Sequence, residues 1–252
     1  MSEFMHTKQE LENLQKLPLL EKIKLSRQRI MEWYEKWDGQ VYVSFSGGKD
    51  STALLQMVRD IYPEVPAVFS NTGLEFPEVR QFALSQPNVI EIRPKLTFHD
   101  IVKLEGYPLI SKAVASAIKT GRIYDPAGTH RGYLMGTQKA LLKDGTMGRS
   151  KFDKSKWRKL AEEAPFKISD KCCAYMKKRP MKKYESETGR HGYVGTMATE
   201  GMLREKAWLV HGCNAYDNRH GLSTPFAFWT DQDMLQYISM MNLPIEIGRA
   251  HV

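Results

Sequence analysis

The amino-acid sequence predicts an α/β fold, a Rossmann-like three-layer α/β/α arrangement with a mostly parallel sheet. Short apolar and β-branched runs at residues 41–45, 67–70 and 89–92 have the composition of buried strands. Helical patterns separate these runs, and strands that are joined by helices lie parallel with right-handed crossovers. A fourth strand is predicted from Gly192, before another helix.

Two regions lie outside this alternation of strands and helices. Residues 1–38 have apolar side chains at helical spacing, interrupted near Pro18, and predict a helical segment that packs on the sheet edge or forms a dimer face in a homo-oligomer. The main domain is predicted over residues 39–245, with an inserted, mostly helical lobe at about residues 105–165. The basic residues of this lobe could face phosphate or nucleic acid, although a solvated surface is the commoner role of any one of them.

Composition limits the class of protein. The 252 residues are 42% hydrophobic and 26% charged, as expected of an ordinary globular protein. A net charge of +8 favours anionic partners without choosing between nucleotide, nucleic acid and sulfate. No apolar run is long enough for a membrane helix and the N-terminus lacks the apolar core of a signal peptide, so we expect no membrane association and a cytoplasmic location.

A glycine-containing turn joins the first predicted strand to a helix and carries the residues suited to phosphate. The glycines allow a ligand to approach backbone N–H groups at the positive end of the helix. Lysine, serine and aspartate add a charge, hydroxyl donors and a possible Mg²⁺ ligand. The alternative is a simple capped turn, but six suitable residues in succession favour a nucleotide site, formed by Ser46, Gly47, Gly48, Lys49, Asp50 and Ser51.

The second predicted strand ends in another turn, at residues 71–77. Ligands of parallel α/β sheets lie beyond the carboxyl ends of the strands, so this turn should face the same crevice as the first one. We predict that Thr72, Gly73 and Glu75 contribute to the nucleotide site. The turn also has a structural role, because Pro77 can begin the next helix.

Three cysteines are too few for a disulfide framework and suggest metal ligands or redox thiols. Ser169 or Asp170 should cap a helix that places Cys172 and Cys173 in its first turn, where the helix dipole favours thiolates. The third cysteine is Cys213. Buried structural thiols are the alternative.

Two later segments are less specific. Arg204 follows the fourth strand and could reach a nucleotide or sulfuryl oxyanion, or simply pair with Glu200 four residues earlier. Residues 226–238 are predicted to form a largely structural helix capped by Thr230, with Asp233 completing a capping box.

These motifs resemble those of the phosphoadenosine phosphosulfate (PAPS) reductase family. The segment Ser-Gly-Gly-Lys-Asp-Ser at residues 46–51 is similar to the PP-loop of the ATP-pyrophosphatase superfamily, to which that family belongs. The resemblance implies that the loop holds the pyrophosphate of ATP, with Mg²⁺, while the α-phosphate is attacked. It implies catalytic roles for Lys49, Asp50 and Arg204. The family also has a similar Thr-Gly-x-x-Phe-Pro-Glu turn, matched at residues 72–78.

The cysteines extend this resemblance incompletely. Some family members have a Lys-Cys-Cys-x-x-x-Lys-x-x-Pro segment, matched at residues 171–180, whose cysteines hold half of a [4Fe-4S] cluster. A downstream Cys-x-x-Cys completes that cluster in the family, whereas this chain offers only Cys213. The resemblance therefore implies a cluster whose ligand set is incomplete here.

Three functions are consistent with these features. The first is a transferase or adenylating enzyme that uses ATP and delivers sulfur to an acceptor such as tRNA or DNA, with a sulfur-donor protein as partner. It is favoured because Lys49 and Asp50 are intact, whereas the loop of true sulfonucleotide reductases is often degraded. The second is a true sulfonucleotide reductase, an oxidoreductase that acts on PAPS or adenylyl sulfate. The third is a non-catalytic nucleotide-binding or zinc-stabilised nucleic-acid-binding protein.

The last seven residues, 246–252, follow the chain without a stop signal or helix cap. They match the in-frame translation of a common sequencing-library adapter. We expect them to be a non-native tail, with the native chain continuing beyond Ile245 and supplying further cysteines.

Overall fold

The computed structural model of the protein describes residues 4–122, 129–141, 145–150, 152–216 and 221–244. The chain forms two compact units. The first, here called the sheet unit, comprises Met1–Arg93 and Pro180–Val252, and the second, the inserted unit, comprises Pro94–Arg179. The predicted tail at 246–252 lies outside the described residues.

The sheet unit contains the predicted parallel sheet. Its strands are β1 (Val41–Phe45), β2 (Ala67–Ser70), β3 (Val89–Ile92), β6 (His191–Tyr193), β7 (Asn214–Ala215) and β8 (Leu222–Ser223), in the order β3-β2-β1-β6-β8-β7. Among the strands that the structure describes in this sheet, only β7 and β8 pair antiparallel. This confirms the predicted α/β class and the four predicted strands.

The helices of the sheet unit follow the patterns read from the sequence. They are α1 (Lys8–Gln15), α2 (Leu19–Lys36), α3 (Lys49–Arg59), α4 (Pro77–Ser85), α9 (Arg179–Thr188), α10 (Met202–His211) and α11 (Asp231–Met240). The break between α1 and α2 falls at Pro18, where the ring fixes φ and removes a donor. α11 begins at Asp231 and not at Phe226, because Thr230 and Asp233 form the predicted capping box and residues 225–228 form a turn before it.

The core of the sheet unit explains why its central strands are almost wholly apolar. Val41, Val43 and Phe45 of β1 are buried together with Leu54 and Val58 of α3. A strand covered on both faces has no solvent side on which polar residues could alternate. β1 therefore lies in the middle of the sheet, and its carboxyl end leads directly into the glycine turn.

The inserted unit has its own smaller core and its own elements. They are α5 (Phe98–Glu105), α6 (Lys112–Arg122), α7 (Thr129–Met135), β4 (Lys139–Leu141), β5 (Met147–Arg149) and α8 (Arg158–Glu163). Helices were predicted here, but β4 and β5 form an antiparallel hairpin that was not. With three residues in each strand, the hairpin is too short to show a strand periodicity.

Candidate nucleotide site

The turn at residues 46–51 is closed by hydrogen bonds within itself. The Ser51 hydroxyl lies 3.0 Å from the Ser46 hydroxyl, donates to the carbonyl of Gly48 at 2.9 Å and accepts from the Ser46 N–H at 3.2 Å. Gly48 N–H in turn donates to the Ser46 hydroxyl at 3.3 Å. The two serines thus hold the backbone in a fixed curve around the N-terminus of α3.

Two glycines are required by the packing around this turn. Gly47 has φ +77°, and a Cβ there would lie 3.0 Å from the side chain of Val79 on α4. Gly195, which follows β6, would place a Cβ 2.8 Å from the carbonyl oxygen of Asp50. The turn is therefore enclosed by neighbouring backbone on two sides, and only glycine allows this approach.

Lys49 lies between two carboxylates. Its ammonium group is 2.6 Å from Asp50 Oδ1 and 3.3 Å from Asp231 Oδ1, at the start of α11. Partial burial lowers the pKa of Lys49, but hydrogen bonds and charge from Asp50 and Asp231 outweigh this effect and the pKa is raised. The lysine is a fixed cation at the mouth of the turn.

The turn after β2 is equally ordered. Glu75 accepts from the Thr72 N–H at 3.0 Å and from the Thr72 hydroxyl at 2.6 Å, while Gly73, with φ +76°, donates its N–H to Asn71 at 3.0 Å. Because β1 and β2 are adjacent and parallel, both turns lie at the same edge of the sheet. The structure thus brings together the two predicted groups of nucleotide-site residues.

The comparisons with known proteins single out the same region. Residues 40–111, which include both turns, match the phosphoadenosine phosphosulfate reductase domain family. Over this segment, the chain is similar to the PAPS reductase family.

The curated relatives are similar over the same kind of short segment. An adenosine 5'-phosphosulfate reductase of Bacillus cereus is 28% identical over 87 residues, covering 32% of this chain and 37% of the relative. The corresponding protein of a second Bacillus cereus strain, 03BB102, is 26% identical over 84 residues, covering 31% and 36%. The chain therefore matches little more than a third of the length of these relatives.

Two solved structures align with this chain over longer stretches, at low sequence identity. The PAPS reductase of Candida auris, in a phosphate complex, is 16% identical with a TM-score of 0.49, covering 98% of this chain and 97% of that one. A U34-tRNA thiolase of Methanococcus maripaludis with its [4Fe-4S] cluster is 13% identical with a TM-score of 0.41, covering 91% and 67%.

The resemblance to the PAPS reductase family also implies a catalytic role for Arg204, and the structure gives this residue another partner. Arg204 forms an ion pair with Glu200, whose carboxylate also accepts the Met197 N–H at 2.7 Å. Arg204 lines a cavity of about 360 Å³ together with Trp208 and Cys213. The structural alternative, pairing with Glu200, is thus present, and the catalytic role of Arg204 stays a prediction.

The cysteines do not form the implied metal site in the described parts of the chain. Cys172 and Cys173 are half-buried in the first turn of a helix, as predicted, before a π-helical stretch at Ala174–Lys178. Cys213 is buried in the core of the sheet unit, and burial raises the pKa of its thiol to about 11. No group of three or more His, Cys, Asp or Glu side chains that could hold a metal ion occurs among the described residues. The residues present therefore do not fit a [4Fe-4S] cluster, which needs four ligands.

Two features of the site were missed from the sequence. Asp231 reaches Lys49 from a position 182 residues away in the chain, so no local motif could connect them. Gly195 approaches the carbonyl of Asp50 through the pairing of β6 with β1. A glycine two residues after the end of β6 was the one available signal for this contact.

Proposed function

We propose that this chain binds an adenine nucleotide, ATP in preference to PAPS, at residues 46–51 and acts at the α-phosphate. We further propose that the protein is an enzyme of sulfur metabolism, or one that transfers sulfur to an acceptor such as tRNA or DNA. We also propose that a sulfur-donor protein is its partner and that the enzyme acts in the cytoplasm. The intact turn supports it, since Lys49 lies at the N-terminus of α3, where the helix dipole favours an anion.

The chemistry follows from what the turn offers. An acceptor oxygen attacks the α-phosphorus, the bond from the α-phosphorus to the bridging oxygen breaks, and pyrophosphate leaves with the bonding electron pair. Lys49 and the N–H groups at the start of α3 would stabilise the charge that grows on this leaving group. The roles of Ser46, Gly47, Gly48 and Ser51 are to shape the turn, and those of Thr72, Gly73 and Glu75 are to hold the neighbouring wall.

Mg²⁺ fits the acidic residues around Lys49. This ion usually takes one or two protein carboxylates together with substrate phosphates and water. Asp50 and Asp231 offer two carboxylates on either side of the same ammonium group. Bound there, Mg²⁺ would neutralise charge on the pyrophosphate.

A sulfonucleotide reductase is the second candidate. It is favoured by one observation, that the curated relatives are adenosine 5'-phosphosulfate reductases. For such a substrate the sulfuryl group, and not a pyrophosphate, would lie at the turn.

Calorimetric titration of the chain with ATP, adenylyl sulfate and PAPS in the presence of Mg²⁺ separates these proposals. We expect ATP to bind most tightly and pyrophosphate to be released when a suitable acceptor is supplied. Tighter binding of PAPS or adenylyl sulfate would favour the reductase. A folded protein that binds none of the three would exclude both.

A further inference from the structure

The charge of this protein is distributed very unequally. The inserted unit has 19 Lys and Arg against 8 Asp and Glu, a net charge of +11, whereas the sheet unit has 18 against 21, a net charge of −3. The whole positive excess of the chain therefore belongs to the unit that does not contain residues 46–51. A charge asymmetry of this size indicates an anionic partner for the inserted unit.

Internal ion pairs cannot neutralise this charge. The described pairs of the inserted unit join Lys119 to Glu105, Arg149 to Asp153, Arg158 to Glu162 and Lys159 to Glu163. Even if each of the eight acidic residues were paired once, eleven cations would remain in excess. The exposed lysines of this unit that are available to a polyanion include Lys103, Lys112, Lys156, Lys167, Lys171, Lys177 and Lys178.

An exposed aromatic pair lies on the same unit. Tyr107 and Phe166 are 47% and 39% exposed, and their ring centroids are 5.2 Å apart at an interplanar angle of 68°. Exposed aromatic rings can stack on another flat ring, and such stacking buries apolar area. The inserted unit therefore exposes both cationic and aromatic side chains.

The backbone under this pair is rigidly joined. Tyr107 N–H donates to the carbonyl of Lys167 at 2.9 Å, and Ser169 N–H donates to the carbonyl of Tyr107 at 3.0 Å. The two segments are so close that a Cβ on Gly106 would lie 2.4 Å from the backbone of Lys167. The backbone that carries the rings is therefore fixed before any ligand binds, which lowers the entropy cost of binding.

The exposed Lys103, Lys167 and Lys171 lie within a few residues of the aromatic pair along the chain. Lys167 follows Phe166 directly and its ammonium lies 3.5 Å from the carbonyl of Leu104, next to the exposed Lys103. Lys171 N–H donates to the hydroxyl of Ser169, which belongs to the same bridge. The platform is here defined as Lys103, Tyr107, Phe166, Lys167 and Lys171.

We propose that this platform binds an unpaired loop of an RNA, with bases stacked on Tyr107 and Phe166 and phosphates contacted by the lysines. Stacking on a protein ring needs a base whose face is free, and folded RNA presents such bases in its loops, whereas a duplex does not. An acidic protein would satisfy the lysines and leave the rings unexplained. The inference deepens the acceptor part of the proposed function, and its test does not use the nucleotide turn.

Fluorescence anisotropy of the full chain with a labelled RNA stem-loop, without ATP, tests the proposal. The stem-loop should bind more tightly than an RNA duplex of equal length and than single-stranded DNA of the loop sequence. Affinity should fall steeply with salt, as counterions are released from the phosphates. Equal binding of the duplex, or tighter binding of the DNA, would overturn the choice of RNA loops.

Variants separate stacking from charge. Tyr107→Ala and Phe166→Ala should each weaken stem-loop binding about fivefold or more, the loss expected for one stacked base. Tyr107→Leu keeps apolar bulk without the aromatic face and should lose affinity similarly, while Leu235→Ala, an exposed site on the sheet unit, serves as control. Unchanged affinity in the folded Tyr107→Leu variant would overturn the stacking role.

Charge reversal completes the test. Lys103→Glu with Lys167→Glu should weaken binding about tenfold or more and flatten the salt dependence, because about two phosphate contacts are lost. The matched control is Lys182→Glu with Lys206→Glu, two exposed lysines of the sheet unit. Equal losses in both double variants would show that net charge alone drives binding and would overturn the platform. ATP binding is measured separately, so a failure of the RNA proposal leaves the proposed nucleotide site untouched, and a failure of ATP binding leaves the platform untouched.

Discussion

Lys49 is the residue on which the proposed nucleotide site depends most directly. Its ammonium is already fixed at the turn by Asp50, so a phosphate gains a charged donor without the cost of ordering a free side chain. Lys49→Gln should weaken ATP binding about tenfold or more, since a hydrogen bond from a charged group contributes ~1.5–3 kcal/mol.

Calorimetry measures this effect, with Lys206→Gln as a matched control on the exposed face of α10. The control keeps the same change of net charge far from the turn in sequence. If Lys49→Gln binds ATP as well as the wild type does, the lysine does not contact phosphate.

Asp231 should act on the same ligand in the opposite direction when Mg²⁺ is absent. Its carboxylate competes with phosphate for Lys49 and repels a second anion. Because Asp231 is 72% exposed, solvent weakens this effect, and we expect Asp231→Asn to strengthen pyrophosphate binding only about two- to fivefold.

The control for Asp231 is Asp60→Asn, the same charge change at the far end of α3. Both are titrated with pyrophosphate in a chelating buffer and again with Mg²⁺. Excess Mg²⁺ should abolish the gain, because the asparagine no longer offers a carboxylate to the ion. Weaker binding of Asp231→Asn in the chelating buffer would contradict the competition between Asp231 and phosphate.

These residues also show how far sequence reading reaches at this scale. The turn at 46–51 was predictable because its chemistry is contained in six neighbouring residues. Asp231 was not, because its contact with Lys49 depends on how α11 packs against α3. The burial of Cys213 was not predictable for a related reason, since the apolar core around it is not specified by its sequence neighbourhood.

At the scale of elements, a buried ion pair joins α2 to α11. Lys22 is 2% exposed and donates to Asp233 at 2.6 Å and to the carbonyl of Gln15 at 2.7 Å. Asp233 also accepts from Thr230 as part of the capping box. The pair therefore fixes the helix whose first residue, Asp231, reaches the nucleotide turn.

Removing one partner of this pair should be costly. Asp233→Ala leaves the Lys22 charge buried without its partner, and the expected loss is ~3–5 kcal/mol in the free energy of unfolding. Urea denaturation measures it, with Asp231→Ala on the same turn of α11 as control. The double variant Lys22→Met with Asp233→Asn should recover part of the loss, because no unpaired charge remains. A double variant less stable than Asp233→Ala would show that the charge is not the cause.

The same pair gives a pH dependence. Burial raises the pKa of Asp233, but hydrogen bonds from Lys22 and Thr230 outweigh burial and hold the pKa below its ordinary value. The stabilisation is therefore present above pH ~4 and is lost as the pH falls through the lowered pKa. The difference in the free energy of unfolding between the wild type and Asp233→Asn, measured by urea denaturation, should shrink as the pH is lowered below ~4.

Element prediction succeeded where local signals were strong. The capping box of Thr230 with Asp233, predicted from the sequence, marks the start of α11. The hairpin of β4 and β5 and the edge pair of β7 and β8 have two or three residues per strand. Strands of that length are specified by their partners and carry almost no periodic pattern of their own.

At the scale of the whole molecule, the chain combines two units of opposite net charge, −3 and +11. Each unit has its own apolar core, so each can respond to its own ligand. Among the described residues, no helix is both long and apolar enough to cross a membrane.

Hydrogen–deuterium exchange on the full chain tests this division directly. ATP with Mg²⁺ should slow exchange at residues 46–52 and 229–232, because the phosphates bind backbone amides at the start of α3 and hold Lys49 beside α11. The RNA stem-loop should instead slow exchange at residues 103–109 and 165–171, where the platform lies. Lys49→Gln should remove the first protection and leave the second, while Tyr107→Leu should do the reverse. Protection of the platform by ATP alone, or loss of both effects in one variant, would mean that the two ligands do not have separate sites.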